Sequence, residues 1–366
     1  MQESDVLLVH TADLHIGGFR HTYNYLERTA ICCDALIESI LAHKHKKIIV
    51  AVTGDLIDGR GIKEPERNLA IRFIYRLLSD KRVTIVMVNG NHEYYDHSGL
   101  TMLHGFSELE RSKLLGNIHV VTNDPNTVVV QFDNLRYRFL CVPCQQDLTA
   151  KGLRTLLRKM LDDGDYTRTY AIVHEAFSGA VGDNGRLIQS KLSFDNINVD
   201  IDGYMLGDIH KRQALSKNAW YCGSPWQTKY NEDRKSGYLV WEKSKPKFIR
   251  IKVPTLIETH ELDVANKYAN TKHSVRYTGL DVPDEAPNVF HVPKIRNQTV
   301  EFETPVDVSD INRVRAVSHT DVVGGLRGFL GTKAKLSKRD SKLGITIAKK
   351  ALRAIGGFES ESENEA

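Results

Sequence analysis

The chain is poor in the features that would place it outside the ordinary soluble proteins. Its apolar runs, such as Ile48 to Val52, are far shorter than the roughly 20 residues that a bilayer-spanning helix requires, so no membrane span is expected. The opening Met1-Gln2-Glu3-Ser4-Asp5 is acidic where an export signal would be basic and then apolar, which leads to the expectation of a cytoplasmic protein. Cysteine is scarce and odd in number, 5 in 366 residues; Cys32 and Cys33 are adjacent, and Cys141-Val142-Pro143-Cys144 has no second C-x-x-C to complete a zinc site. Free thiols are therefore expected, with the C-x-x-C as the end of a strand. Net charge is small too. A formal +4 at this length does not by itself point to nucleic acid; only its placement can do that. No internal repeat is visible.

What is present is a globular composition, 41% hydrophobic and 26% charged, on a chain long enough for one large domain and one or two modules. Val6 to His10, Lys47 to Thr53, Val83 to Val88, Thr169 to Val173 and Tyr204 to Leu206 read as buried strands. Between the first three lie Thr22 to His43 and Glu64 to Ser79, with apolar residues at helical spacing and, at Pro65, a residue suited to a first helical turn. This alternation predicts an α/β layered domain. Shorter strands follow at Trp220 to Cys222, Gly237 to Trp241 and Phe248 to Val253, expected to form a second sheet packed on the first.

Past Pro254 the pattern weakens, and Val275 to Tyr277 and Gln298 to Phe302 suggest a small α+β module. Leu343, Ile347, Ala351 and Ile355 then recur every four residues beside Lys342, Lys349, Lys350 and Arg353, the pattern of an amphipathic basic helix, before an acidic tail from Phe358 to Ala366. The expected divisions are 1–255, 256–323 and 324–366.

Five predicted strands end on polar clusters of metal-ligand type: Asp13-Leu14-His15, Gly54-Asp55, Gly90-Asn91-His92, His174, and Gly207-Asp208-Ile209-His210. In open α/β sheets the carboxyl ends of strands are where sites form. Each cluster alone is a common turn or a satisfied imidazole; five in order at one edge imply a dinuclear site. Carboxylate, imidazole and amide oxygen together suit Mn²⁺, Fe²⁺ or Zn²⁺ better than a magnesium-only cage. Two such cations bridging one hydroxide can clamp the attacking and leaving oxygens of a phosphoryl displacement. Asp55, with two oxygens in a glycine-bounded turn, is the natural bridge.

The order D-x-H, G-D, G-N-H, lone H, G-x-x-H is similar to the calcineurin-like metallophosphoesterase pattern. Tyr221-Cys222-Gly223-Ser224-Pro225-Trp226-Gln227, with Asn231-Glu232 and Lys235-Ser236-Gly237-Tyr238, further resembles SbcD-type DNA repair nucleases, including their tailed-phage versions. That resemblance, over roughly residues 5 to 253, implies a two-sheet αββα sandwich with a small capping domain and a C-terminal partner-binding helix. It implies one metal on Asp13, His15, Asp55 and His210, the other on Asp55, Asn91, His174 and Asp208, and His92 as the group that protonates the leaving oxygen. Two divalent ions are implied, Mn²⁺ first and Mg²⁺ second, together with DNA as substrate, an SbcC-like ABC-type ATPase partner and a homodimer. For a phage chain the compartment would be the host-cell cytoplasm.

Two positions depart from the family. Asp208 stands where histidine is usual, trading imidazole for a harder oxygen, and Asp58 stands where many relatives carry histidine near the substrate. Two other readings stay open: a phosphoesterase on small molecules or phosphoproteins, and a DNA-end-binding scaffold with a silent site. The basic helix is expected to dock on the ATPase, with packing on its own chain or contact with DNA phosphates as alternatives.

Overall fold

A computed structural model describes residues 1–291, apart from 19–23, 60, 95–100, 112–116, 146, 198, 231, 233–234, 279–282 and 284–285. These belong to the first of two compact units, Met1–Ile295. The second unit, the expected strand from Gln298 to Phe302 and the basic helix from Lys342 to Ile355 lie outside the described residues.

The first sheet is built on β1 (Val6–Thr11), β2 (Lys47–Thr53), β3 (Val83–Val88) and β4 (Ile118–Val121), all parallel. Parallel neighbours need crossovers, and two are helical, α1 (Tyr25–Leu41) between β1 and β2 and α2 (Glu64–Leu78) between β2 and β3. Pro65 sits in the first turn of α2, where its missing N–H costs no hydrogen bond, and Leu69, Ala70, Phe73, Ile74 and Leu77 recur on the buried face. A short helix, α3 (His104–Arg111), precedes β4.

The second sheet runs β5 (Asn126–Phe132), β6 (Leu135–Val142), β7 (Arg168–His174), β8 (Gly203–Gly207), β10 (Ala219–Tyr221) and β9 (Gln213–Ala214). Side chains alternate across each strand, so one face of each sheet meets the other sheet and the opposite face meets helices. Leu8, Ile49, Val86 and Val88 face Phe139, Tyr170, Ile172 and Met205 in the shared interior. Val9, Val50 and Ile85 turn outward under α1 and α2. Leu140, Ala171 and Leu206 turn outward under α4 (Ala150–Met160), capped by Thr149, whose hydroxyl accepts the Gly152 N–H at 3.1 Å. The layering is αββα, a mixed α/β sandwich of two large sheets.

One expectation is corrected. β11 (Gly237–Glu242) and β12 (Lys245–Arg250) belong to the first sheet, not the second: β11 pairs antiparallel with β1, and β12 with β11. They cover the free edge that β1 would otherwise leave unpaired, and their alternation fits, with Tyr238 and Val240 on the helix side and Trp241 between the sheets. Only Ala219–Tyr221 of that group joins the second sheet. The C-x-x-C lies where a strand end was expected: Cys141 is buried within β6, and all five thiols are free.

From Leu256 a third, wholly parallel sheet begins, with β13 (Leu256–Thr259), β14 (Ser274–Tyr277) and β15 (Val289–His291), and α5 (Leu262–Lys267) as the crossover from β13 to β14. Among the described residues no helix is long and apolar enough to cross a membrane.

Candidate metal centre

The carboxyl ends of β1, β2 and β3 in one sheet and of β7 and β8 in the other converge on one edge of the sandwich. All eight residues singled out in the sequence lie there. The loops after β1 and β2 run side by side, the Asp13 N–H donating to the Gly54 carbonyl at 3.1 Å and the His15 N–H to the Asp55 carbonyl at 2.9 Å. Four of the eight have left-handed backbones: Asp13 (φ 54°), His15 (46°), Asp55 (52°) and Asp208 (89°). Non-glycine residues are held in this region only where their surroundings over-determine them, as functional sites do. The turns also need their glycines: a Cβ on Gly54 would lie 2.2 Å from His174 Nδ1, and one on Gly90 would lie 2.0 Å from Asp55 Oδ1.

Each histidine is held by one nitrogen and presents the other. His174 Nδ1 is 2.7 Å from the Thr53 carbonyl, His15 Nδ1 is 3.1 Å from Asp58 Oδ1, and His210 Nδ1 is 2.6 Å from Glu232 Oε1. All three partners accept, so each Nδ1 donates, and in the neutral ring Nε2 is left with a lone pair. Those lone pairs face one another and other acceptors. His15 Nε2 and His210 Nε2 are 2.9 Å apart; His174 Nε2 is 3.1 Å from Asn91 Oδ1 and 3.5 Å from Asp55 Oδ2. Asp13 Oδ2 is buried with no hydrogen-bond partner. Ligand atoms of Asp13, His15 and His210 lie within 4.8 Å of one another, and so do those of Asp13, Asp55 and His174. Converging acceptors without donors repel unless cations join them, so the donor set fits divalent ions. Asp208 is the outlying member, Oδ1 3.9 Å from His174 Nε2, while its N–H donates to Asp13 Oδ1 at 3.1 Å.

Protonation equilibria carry the same mark. Burial pushes Asp13 up to about 6. Burial opposes ionisation of Asp55 as well, but His174 and His15 outweigh it and hold that carboxyl below its usual range. Burial would lower His174 and His210, yet the surrounding carboxylates, Asp55 foremost for His174 and Glu232 for His210, raise both, His210 to about 9. The cluster draws positive charge to itself.

Three residues to which the sequence assigned no role are part of this architecture. Asp58 Oδ1 lies 2.8 Å from His92 Nδ1 as well as near His15, and this bond raises the His92 imidazole above its ordinary value. Glu93 is wholly buried and accepts the backbone N–H groups of Gly90 at 2.6 Å and of Asp55 and Ile57 at 3.1 Å, tying the second and third loops together. Glu232 holds His210, and its other oxygen takes the Thr228 and Lys229 N–H groups. Glu93 adjoins the G-N-H motif and Asp58 the G-D motif, so their neighbourhood was signalled. For Glu232 the signal lay only in the Asn231-Glu232 resemblance. His92 is 41% exposed at the mouth of the site, with its N–H on Asp55 Oδ1 at 3.0 Å.

Residues 6–212 match the model of the calcineurin-like phosphoesterases, and the chain belongs to that family. It is similar to the SbcD component of the nuclease SbcCD from Staphylococcus saprophyticus, at 23% identity over 338 residues, covering 83% of this chain and 88% of that one. Among solved structures, a phosphopantetheinyl hydrolase from Mycobacterium tuberculosis overlaps 60% of this chain and 90% of its own at 12% identity, with a TM-score of 0.32. A protein of unknown function from Aquifex aeolicus overlaps 47% and 81% at 10% identity, with a TM-score of 0.24. Scores this low bear on neither fold nor function.

Proposed function

We propose that the chain is the nuclease component of an SbcCD-like complex: a dinuclear-metal phosphodiesterase that cleaves DNA from its ends, and single strands internally, in partnership with an ABC-type ATPase. The observation that carries the proposal is the convergence of three imidazole Nε2 atoms, three carboxylates and one amide oxygen on one edge of the sandwich. The similarity to an SbcCD component over most of both chains supports DNA as the substrate. Asp13, His15, Asp55 and His210 would hold one ion and Asp55, Asn91, His174 and Asp208 the other, Mn²⁺ first and Mg²⁺ second. Bound there, such ions would supply Lewis acidity to water and to the phosphoryl oxygens.

The protein's own groups do the rest. His92, half-buried beside Asp58, carries a proton that Asp58 helps it retain and delivers it to the leaving oxygen. Asp58 and Glu232 orient their histidines. Residues 256–323 form the capping domain that helps hold DNA, and 324–366 dock on the ATPase. A homodimer and a cytoplasmic setting, a host's in the case of a phage, complete the proposal.

The test is a time course on end-labelled linear duplex with Mn²⁺, Mg²⁺ or chelator, beside Asp55→Ala. Manganese-dependent nucleotide release that the substitution abolishes is expected. Hydrolysis of phosphomonoesters with duplex DNA left intact would overturn the proposal in favour of a small-molecule phosphoesterase. Intact DNA binding without turnover under manganese would overturn it in favour of a silent scaffold.

A further inference from the structure

The segment that carries Gln227, Tyr230 and Glu232 touches both the candidate metal centre and the third sheet. Gln227 is 1% exposed, and both ends of its amide are bonded. Its Oε1 accepts the Leu256 N–H at 2.9 Å, and its Nε2 donates to the carbonyls of Leu256 and of Glu232, each at 3.2 Å. Leu256 opens β13, an edge strand of the third sheet. The neighbouring strand takes the other side: the Ser274 N–H of β14 donates to the Thr255 carbonyl at 3.1 Å. Successive residues of a strand direct their backbone groups to opposite sides, so the Leu256 N–H and carbonyl face the free edge. There the Gln227 amide takes the place of a further strand.

A second bond runs beside it. Tyr230 Oη lies 2.9 Å from the Oγ of Ser274, the residue that pairs with Leu256 in the sheet. From the opposite side Arg28 of α1 holds the same segment, its Nη2 donating to the Gln227 carbonyl at 3.1 Å.

The Glu232 carbonyl that Gln227 holds belongs to the residue whose carboxylate is 2.6 Å from His210 Nδ1. That carboxylate also takes the Thr228 hydroxyl at 2.6 Å and the Lys229 N–H at 3.0 Å. Hydrogen bonds and the length of one residue thus lead from the backbone of β13 to the imidazole. Glu232 can hold the ring in one orientation only while its own backbone is fixed, as the outer partners of metal ligands must be.

We propose that Gln227 is a positioning residue for the metal centre: by clamping Glu232 to the edge of β13 it sets the orientation of His210, and the third sheet thereby supports the metal site. A buried amide bonded at both ends specifies a single arrangement, because a shift of β13 leaves a donor or an acceptor unpaired. The inference rests on the metal centre of the proposed function and is indifferent to the identity of the substrate.

The experiment uses the full chain with Gln227→Met, Tyr230→Phe and, as a control, Val275→Ala, which opens a cavity in the core of the third sheet and leaves both bonds in place. Calorimetric titration reads Mn²⁺ affinity. In the metal-free chain, nuclear magnetic resonance on isotope-labelled histidine reads the His210 Nδ1–H proton, which Glu232 protects from exchange with water. Gln227→Met should weaken one Mn²⁺ binding step about tenfold, the lower end of the loss for an outer partner of a metal-bound histidine, and broaden the His210 proton signal. Tyr230→Phe should do both to a smaller degree. Val275→Ala should lower the thermal midpoint and do neither.

Wild-type Mn²⁺ affinity with a sharp His210 proton in Gln227→Met would overturn the inference and leave Gln227 as a cap on the β13 edge alone. Equal losses in Gln227→Met and Val275→Ala would overturn it too, since general loosening of the third sheet would then suffice. Should Gln227→Met fail to fold, Tyr230→Phe decides by the same two readings. A wild type that binds no Mn²⁺ would sink the metal centre, while the His210 proton still judges the link.

Discussion

Asp58 and His92 are paired at the mouth of the metal centre, Oδ1 to Nδ1 at 2.8 Å, and the same oxygen lies 3.1 Å from His15 Nδ1. One carboxylate thus orients a candidate metal ligand and a candidate proton donor. Asp58→Asn should leave the fold intact and lower turnover roughly 10- to 100-fold, the scale of a lost orienting carboxylate. Asp58 raises the His92 pKa, so the protonated imidazole persists to higher pH with it than without. The basic limb of the kcat profile should therefore move to lower pH in the variant. An unmoved limb would separate His92 from the proton transfer.

His92→Asn removes the proton donor and leaves His15, His174 and His210 in place. Turnover should fall about 10²- to 10⁴-fold, the range for general acid catalysis, with metal content unchanged by elemental analysis. Loss of metal in step with activity would instead make His92 a ligand, as its grouping with His15 and Asp55 would allow.

Glu232 lies 22 residues beyond His210 in the sequence, and its carboxylate is 2.6 Å from that ring. Glu232→Gln should weaken Mn²⁺ binding roughly 10- to 100-fold by calorimetric titration, as lost outer partners of metal-bound histidines do. Circular dichroism should be unchanged. Wild-type affinity in the variant would show that the bond does not orient the ring for metal.

The site was more legible in the sequence than the second sheet was. Parallel β-strands carry their ligand residues to one edge, so D-x-H, G-D, G-N-H, His174 and Asp208-x-His210 could be read together from order and spacing alone. Glu232 could not: it is borne on a loop, with no period to announce it. Of β6 only the end at Cys141 was legible, because Arg136 and Arg138 break its apolar run. Arg138 is buried nonetheless, its charge met by Asp162 at 2.8 Å and by the Tyr166 ring at 4.1 Å. Which sheet β11 joins is decided by the open edge of β1, more than 200 residues away in sequence, a non-local choice that alternation within the strand does not encode.

His10 is wholly buried on β1, and burial lowers its pKa from 6.5 to about 3. Between those values the unfolded chain binds the proton and the folded chain does not, so stability falls as pH drops below about 6.5. His10→Gln should flatten that loss in urea midpoints between pH 6.5 and pH 4, by at most about 4 kcal/mol from the linkage of one group. Parallel curves for the two proteins would mean that His10 does not carry the acid limb.

The dinuclear centre is tested most directly by the number of Mn²⁺ ions that the metal-free chain binds. Calorimetry paired with electron paramagnetic resonance should find two per chain, with the spin coupling of ions that share Asp55, and Asp55→Asn should abolish the coupling. One ion per chain, or two that titrate without coupling and are indifferent to Asp55, would contradict the account.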